Sequence, residues 1–162
     1  MAETIFINKG QSLDEQYQSL VKQVKALLNK DDKLISNISN FVAALKQSFV
    51  KISWVGFYFV EGDNLYLGPF QGKVACTNIK IGQGVCGTAA LENKTVIVED
   101  VHKFPGHIFC DADSRSEIVI PLIKNNDLFG VLDLDSTQIS AFNYIDKKYL
   151  EEMCIFLSEN IL

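Results

Sequence analysis

The chain lacks any apolar run long enough to cross a membrane, for which a helix needs about 20 consecutive apolar residues. It also lacks a cleavable leader pattern: Met1 to Gly10 contains Glu3, Asn8 and Lys9 and no apolar stretch ending in a small-residue cleavage site. A cytoplasmic location with no membrane partner is therefore expected. Positive charge is in deficit, with 15 Lys and Arg against 20 Asp and Glu and a net charge of −5. No stripe alternates basic with aromatic residues, so nucleic acid is excluded as an expected partner. Proline is scarce at three residues and low-complexity tracts are missing, which leaves no candidate for a disordered tail or an internal linker. What remains is ordinary globular composition, 162 residues and 48% hydrophobic. That is enough to bury about two-thirds of the unfolded chain's surface, in one domain over residues 1–162.

Two amphipathic helices open the chain. Ser12 and Glu15 have capping-box spacing, and Leu13, Tyr17, Leu20, Val21, Val24, Leu27 and Leu28 then share a helical face, so the first helix is expected to reach about Lys30. Leu34, Ile35, Ile38, Phe41, Val42, Leu45 and Phe49 repeat the period over a second. The aromatic and β-branched segment ISWVGFYFV, the turn Glu61 to Asn64 and LYLGPF predict a hairpin. EIVIPLI, the turn KNND and LFGVLDLD predict another, with a short strand TVIV between the two hairpins. Ile145, Tyr149, Leu150, Met153, Phe156, Leu157 and Ile161 mark a closing helix. The remainder, Gln71 to Asn93 and Glu99 to Ser116, is expected to be irregular, and loops this long are usually functional. The fold class is α+β: an antiparallel sheet flanked by two N-terminal helices and one C-terminal helix.

Four cysteines in a reducing compartment do not make a disulfide framework, so each is core filler, a metal ligand or a redox group. Cys154 sits on the apolar stripe of the last helix and reads as packing. Cys76, Cys86 and Cys110 fall instead in the two irregular stretches, where packing does not explain them. Zinc is disfavoured because their intervals contain no close cysteine pair, even though His107 stands three residues before Cys110. His102 and His107 read as loop or surface residues. GQGVCG, residues 82–87, matches a dinucleotide fingerprint, yet the only helix that could follow, TAALEN, is too short and leads to hairpins rather than parallel crossovers. Its glycines read as turns whose backbone N–H groups face a small ligand. No metal and no cofactor is expected.

Cys110 has acidic company in Asp111, Asp113 and Glu117. A free thiol is only about 3% thiolate at neutral pH, and carboxylates lower that fraction, with Lys103, His107 and Arg115 as candidates to offset them. Asp133 and Asp135 alternate with leucines and so share one face of a strand, which is either solvated or functional. Pairing of 117–123 with 129–135 would gather Glu117, Asp133 and Asp135 near Cys110. Such a cluster suits a zwitterion: one carboxyl kept neutral by its neighbours donates a proton to a substrate oxygen, and the others hold an ammonium group.

WVGFYF, LGPFQGKVACT, GQGVCGTAA, DVHKFPGHIFCDADSRSEIVIPL and GVLDLDS closely resemble the free methionine-(R)-sulfoxide reductases, enzymes built on the GAF domain. The resemblance is dense over residues 50–137. It implies a GAF fold, a homodimer, and reduction of free methionine (R)-sulfoxide with thioredoxin as reductant. It further implies that Cys110 is the attacking thiolate and becomes a sulfenic acid, that Cys76 resolves it as a disulfide, and that Cys86 is an auxiliary or alternative resolving thiol. By the same likeness Glu117, Asp133 and Asp135 are the substrate-binding acids, and Trp54 and Tyr58 line the pocket near the methyl end. The alternative is a non-enzymatic GAF sensor of a small ligand or of redox state, since fold alone does not fix function.

Overall fold

The computed structural model describes residues 4–108 and 110–162; Met1–Glu3, and Phe109 just before Cys110, lie outside the described residues. Helix α1 (Leu13–Leu27) starts at Ser12, whose hydroxyl accepts from the Glu15 N–H while the Glu15 carboxylate accepts from the Ser12 N–H, a reciprocal cap. It stops three residues short of the expected end. Leu28 is still buried but its backbone is extended, so the apolar pattern outruns the helix. Helix α2 spans Leu34–Ser48, and α4 (Tyr144–Asn160) starts on a second reciprocal cap between Asn143 and Asp146.

Strands β1 (Trp54–Glu61), β2 (Asn64–Gln71), β3 (Asn78–Lys80), β4 (Val96–Val98), β5 (Ser116–Lys124) and β6 (Asp127–Ser136) form one sheet in the order β3-β2-β1-β6-β5-β4. Each pairing is antiparallel, which removes the parallel crossover that a dinucleotide site at 82–87 would need.

The period of two along each strand divides the molecule into two cores. Val55 and Phe57 of β1, Ile118, Ile120 and Leu122 of β5, and Leu132 and Leu134 of β6 face α1, α2 and α4. Trp54, Tyr58, Val119 and Val131 point the other way, into a second core with Val85, Cys86, Ala89 and Ala90. Those four belong to helix α3 (Gly84–Glu92), which with β3 lies in the stretch expected to be irregular. Sequence reading saw only its second half, TAALEN, as a possible helix, because α3 is apolar or small almost all round and carries two glycines, which weakens both periodicity and propensity. Gly87 is there for contact: a Cβ on it would lie 2.5 Å from the Lys80 carbonyl oxygen, so α3 can press onto the β3 backbone only without a side chain.

The helical side is fastened by one buried charge. Asp146 is fully buried and accepts from the Tyr17 hydroxyl at 2.7 Å, the Lys51 ammonium at 2.6 Å and the Asn143 N–H at 2.8 Å, joining α1, α4 and the segment before β1. Replacing one member strands the others in low dielectric. Asp146→Ala is expected to cost about 3–5 kcal/mol in urea unfolding with an unchanged m value.

Candidate active site

Sheet register builds the floor of the site. Glu117 on β5 pairs with Asp135 on β6, which pairs on its other side with Trp54 on β1; one step along, Asp133 stands between Val119 and Gly56. The three carboxylates therefore share the face that carries Trp54 and Tyr58, the face covered by α3. They are not on a solvated outer surface: Glu117 is 5% exposed and Asp133 6%. Cys86, in the first turn of α3, sits above them with its sulfur 3.8 Å from Glu117 Oε1. The ligand atoms of Cys86, Glu117 and Asp133 lie within 4.8 Å of one another, close enough to converge on a single cation.

Burial dominates the electrostatics. It drives the Glu117 carboxyl well above the ordinary carboxylate range, helped by the charges of Asp133 and Asp135. Asp133 is raised for the same reasons, burial first and then Asp135. Asp135 is pushed up by burial only to about 6, because the Ser114 hydroxyl donates to its Oδ1 at 2.5 Å and favours the ionised form. Burial therefore favours the protonated form at the two inner members of the trio, and Asp135 is the member most readily ionised. Cys86 is held as a thiol, first by burial and then by the neighbouring acids. The Tyr58 phenol is likewise kept protonated, chiefly by burial, and donates to the Cys76 carbonyl at 3.0 Å.

Two further cysteines meet at the edge of the cavity. Cys76 and Cys110 form a disulfide across 34 residues, with Cα atoms 5.5 Å apart, inside the separation two cysteines need. Cys110 lines the same cavity as Trp54, Tyr58, Glu117, Asp133 and Asp135, so the structure gathers the residues singled out by sequence around one space. Cys86 stays free beside them, and Cys154 is free and buried among the helices. The Asp111 and Asp113 carboxylates are met by Lys73, at 3.1 and 2.5 Å. Lys103 is engaged with Asp100 instead. Burial lowers the His107 pKa, so this cavity-lining imidazole brings no positive charge at neutral pH.

Lys73 and Ser114 escaped sequence reasoning. Ser114 sits within the acidic loop after Cys110, but its role depends on how that loop folds back onto β6. Lys73 precedes Cys76 by three residues and is far from Asp111 in the chain, so no local pattern announces the pair.

A family model for the GAF domain matches residues 32–158. The chain is 51% identical over 154 residues to GAF domain-containing protein A of Dictyostelium discoideum, covering 94% of this chain and 96% of that one. It is 45% identical over 139 residues to the free methionine-R-sulfoxide reductase of Escherichia coli, covering 86% of this chain and 84% of the relative. The X-ray structure of free methionine-R-sulfoxide reductase from Neisseria meningitidis in complex with its substrate superposes with a TM-score of 0.93 at 38% identity, over 98% of this chain and 95% of that one.

The raised Glu117 pKa has a consequence for stability. Below the unfolded-state pKa both states are protonated and burial of the acid costs little; as pH rises the unfolded chain ionises while the folded one does not, and stability is lost. A glutamine escapes this loss. Glu117→Gln should therefore be close to neutral at about pH 4 and increasingly stabilising toward about pH 8, read as thermal midpoints across that range.

Proposed function

Because the chain belongs to the free methionine-(R)-sulfoxide reductase family of GAF-domain proteins, we propose that it reduces free L-methionine (R)-sulfoxide to methionine. The observation that carries this reading is a disulfide-forming cysteine, Cys110, at the edge of a cavity floored by three carboxylates, two of them buried.

In the dithiol state the Cys110 sulfur attacks the sulfoxide sulfur while the neutral carboxyl of the Glu117–Asp133 pair protonates the departing oxygen. Sulfoxide oxygen leaves poorly unless protonated, so this proton contributes general acid catalysis. The protonated oxygen then moves to the Cys110 sulfur as its bond to the substrate sulfur and the transient S–S bond break, so that Cys110 becomes a sulfenic acid, methionine leaves, and the two electrons it gained come from Cys110. Cys76 then attacks the Cys110 sulfur, the S–O bond breaks, water departs, and the disulfide of the structure is the product. An external dithiol, thioredoxin by family likeness, takes the disulfide back to two thiols. Cys86 is reserved as an auxiliary thiol.

Asp135, ionised near neutral pH, attracts the substrate ammonium together with the Asp133 oxygen Oδ1, which has no hydrogen-bond partner among the described residues. The N–H groups at the start of α3, where Gln83, Gly84, Val85 and Cys86 line the cavity, suit the substrate carboxylate. Trp54 and Tyr58 supply the apolar wall for the thioether end. A residue inside a polypeptide has neither the free ammonium nor the free carboxylate, which accounts for selectivity toward the free amino acid. A homodimer in the reducing cytoplasm, as a single domain over 1–162, completes the proposal. Among the described residues no helix is long and apolar enough to cross a membrane.

NADPH consumption with thioredoxin, thioredoxin reductase and free methionine sulfoxide tests the reading. Wild type turns over, and Cys110→Ser abolishes turnover. Cys76→Ser makes about one methionine per protein and then stalls, and Glu117→Gln loses about 10²- to 10⁴-fold in kcat. An inert wild type would favour the ligand sensor, and turnover surviving Cys110→Ser would discard the nucleophile.

A further inference from the structure

Lys73 has no place in the chemistry above, yet it joins the two segments that the chemistry must bring together. Its carbonyl accepts from the Trp54 indole N–H at 3.0 Å, and Trp54 is 4% exposed, so the main chain at Lys73 starts from a fixed point on the pocket wall. The adjoining Gly72 lies so close to that ring that a Cβ would stand 2.5 Å from Trp54 Cδ1. Three residues on, the Tyr58 hydroxyl holds the Cys76 carbonyl. The Cys76 segment is thus pinned to the sheet at two carbonyls by two buried aromatic donors. From this anchored segment the Lys73 ammonium reaches outward to Asp111 Oδ1 at 3.1 Å and Asp113 Oδ2 at 2.5 Å, the acids that follow Cys110. Asp111 Oδ1 also accepts the Asp113 N–H at 3.0 Å, so the two acids form one compact turn that a single cation can grip.

We propose that Lys73 is a positioning residue for the thiol–disulfide step: an ionic tie that holds the Cys110 segment against the Cys76 segment and biases the pair toward the disulfide. The tie runs beside the S–S bond and links the same two segments, so whatever it contributes in the closed arrangement adds to the effective concentration of one thiol at the other. The Lys73 side chain is 60% exposed, so the effect is modest and sensitive to salt. The inference rests on the reductase reading for its use in turnover but not for its test.

The test equilibrates the full-length protein in glutathione buffers, where the disulfide and two glutathione thiols give two protein thiols and glutathione disulfide, and counts thiols by acid quench and mass spectrometry. No methionine sulfoxide is present, so the outcome is independent of whether the protein reduces it. Lys73→Gln should move the equilibrium toward the dithiol by about two- to tenfold at low ionic strength. Lys73→Arg should restore the wild-type position. The difference between wild type and Lys73→Gln should shrink at about 1 M salt, where screening acts within about 3 Å. Asp113→Asn, which leaves Lys73 intact, should shift the equilibrium in the same direction by less. An unchanged equilibrium in Lys73→Gln, a shift indifferent to salt, or failure of arginine to restore it would each overturn the proposal.

Discussion

Three carboxyl groups enclosed on one face of two hydrogen-bonded strands cannot all be charged, and the rest of the site is organised around that conflict. Glu117 and Asp133 are the most enclosed, and burial pushes both toward the protonated form; Asp135 is eased toward the anion by the Ser114 hydroxyl. One cluster thus presents a proton donor and an anion a few ångströms apart, the two groups needed to protonate an S=O oxygen and to hold an ammonium. The Cys86 thiol, held neutral in the same place, fills space there without adding a further negative charge.

The acids near Cys110 belong to two sets with opposite physics. Asp111 and Asp113 lie at the rim, and Asp111 is held below its ordinary range first by the Asp113 N–H and then by Lys73. Both are already paired with Lys73. Glu117, Asp133 and Asp135 lie beneath the cavity and are uncompensated by any cation among the hydrogen bonds and ion pairs described. Sequence proximity places Asp111 closest to the cysteine, but depth in the fold, not proximity along the chain, separates an ordinary surface pair from a group able to donate a proton.

Much of this was legible in the residues. Capping at Ser12, the alternation in VLDLDS and the turn after Lys124 were enough to draw the helices, the hairpins and the pairing of Glu117 with Asp135. The alternation left open whether Asp133 and Asp135 faced solvent, because a period of two assigns residues to faces without saying what covers each face. The cover is α3, whose uniformly apolar or small residues carry no helical period. The contacts of Lys73 and Ser114 were hidden for a simpler reason: each pairs with a partner on a different segment, and long-range side-chain pairing has no signature in local spacing.

The strand order also bears on when the cavity can exist during synthesis. Of the three strands that build its floor, β1, β5 and β6, the two at the centre of the sheet are β1 and β6, the first and last of the described strands. Everything from β1 to β6 must be made before Trp54 finds Asp135. Until then Cys110 has emerged without its buried acid neighbours, and pairings of high sequence separation form slowly. The nascent thiols therefore spend their most exposed interval before the completed sheet has built the cavity around them.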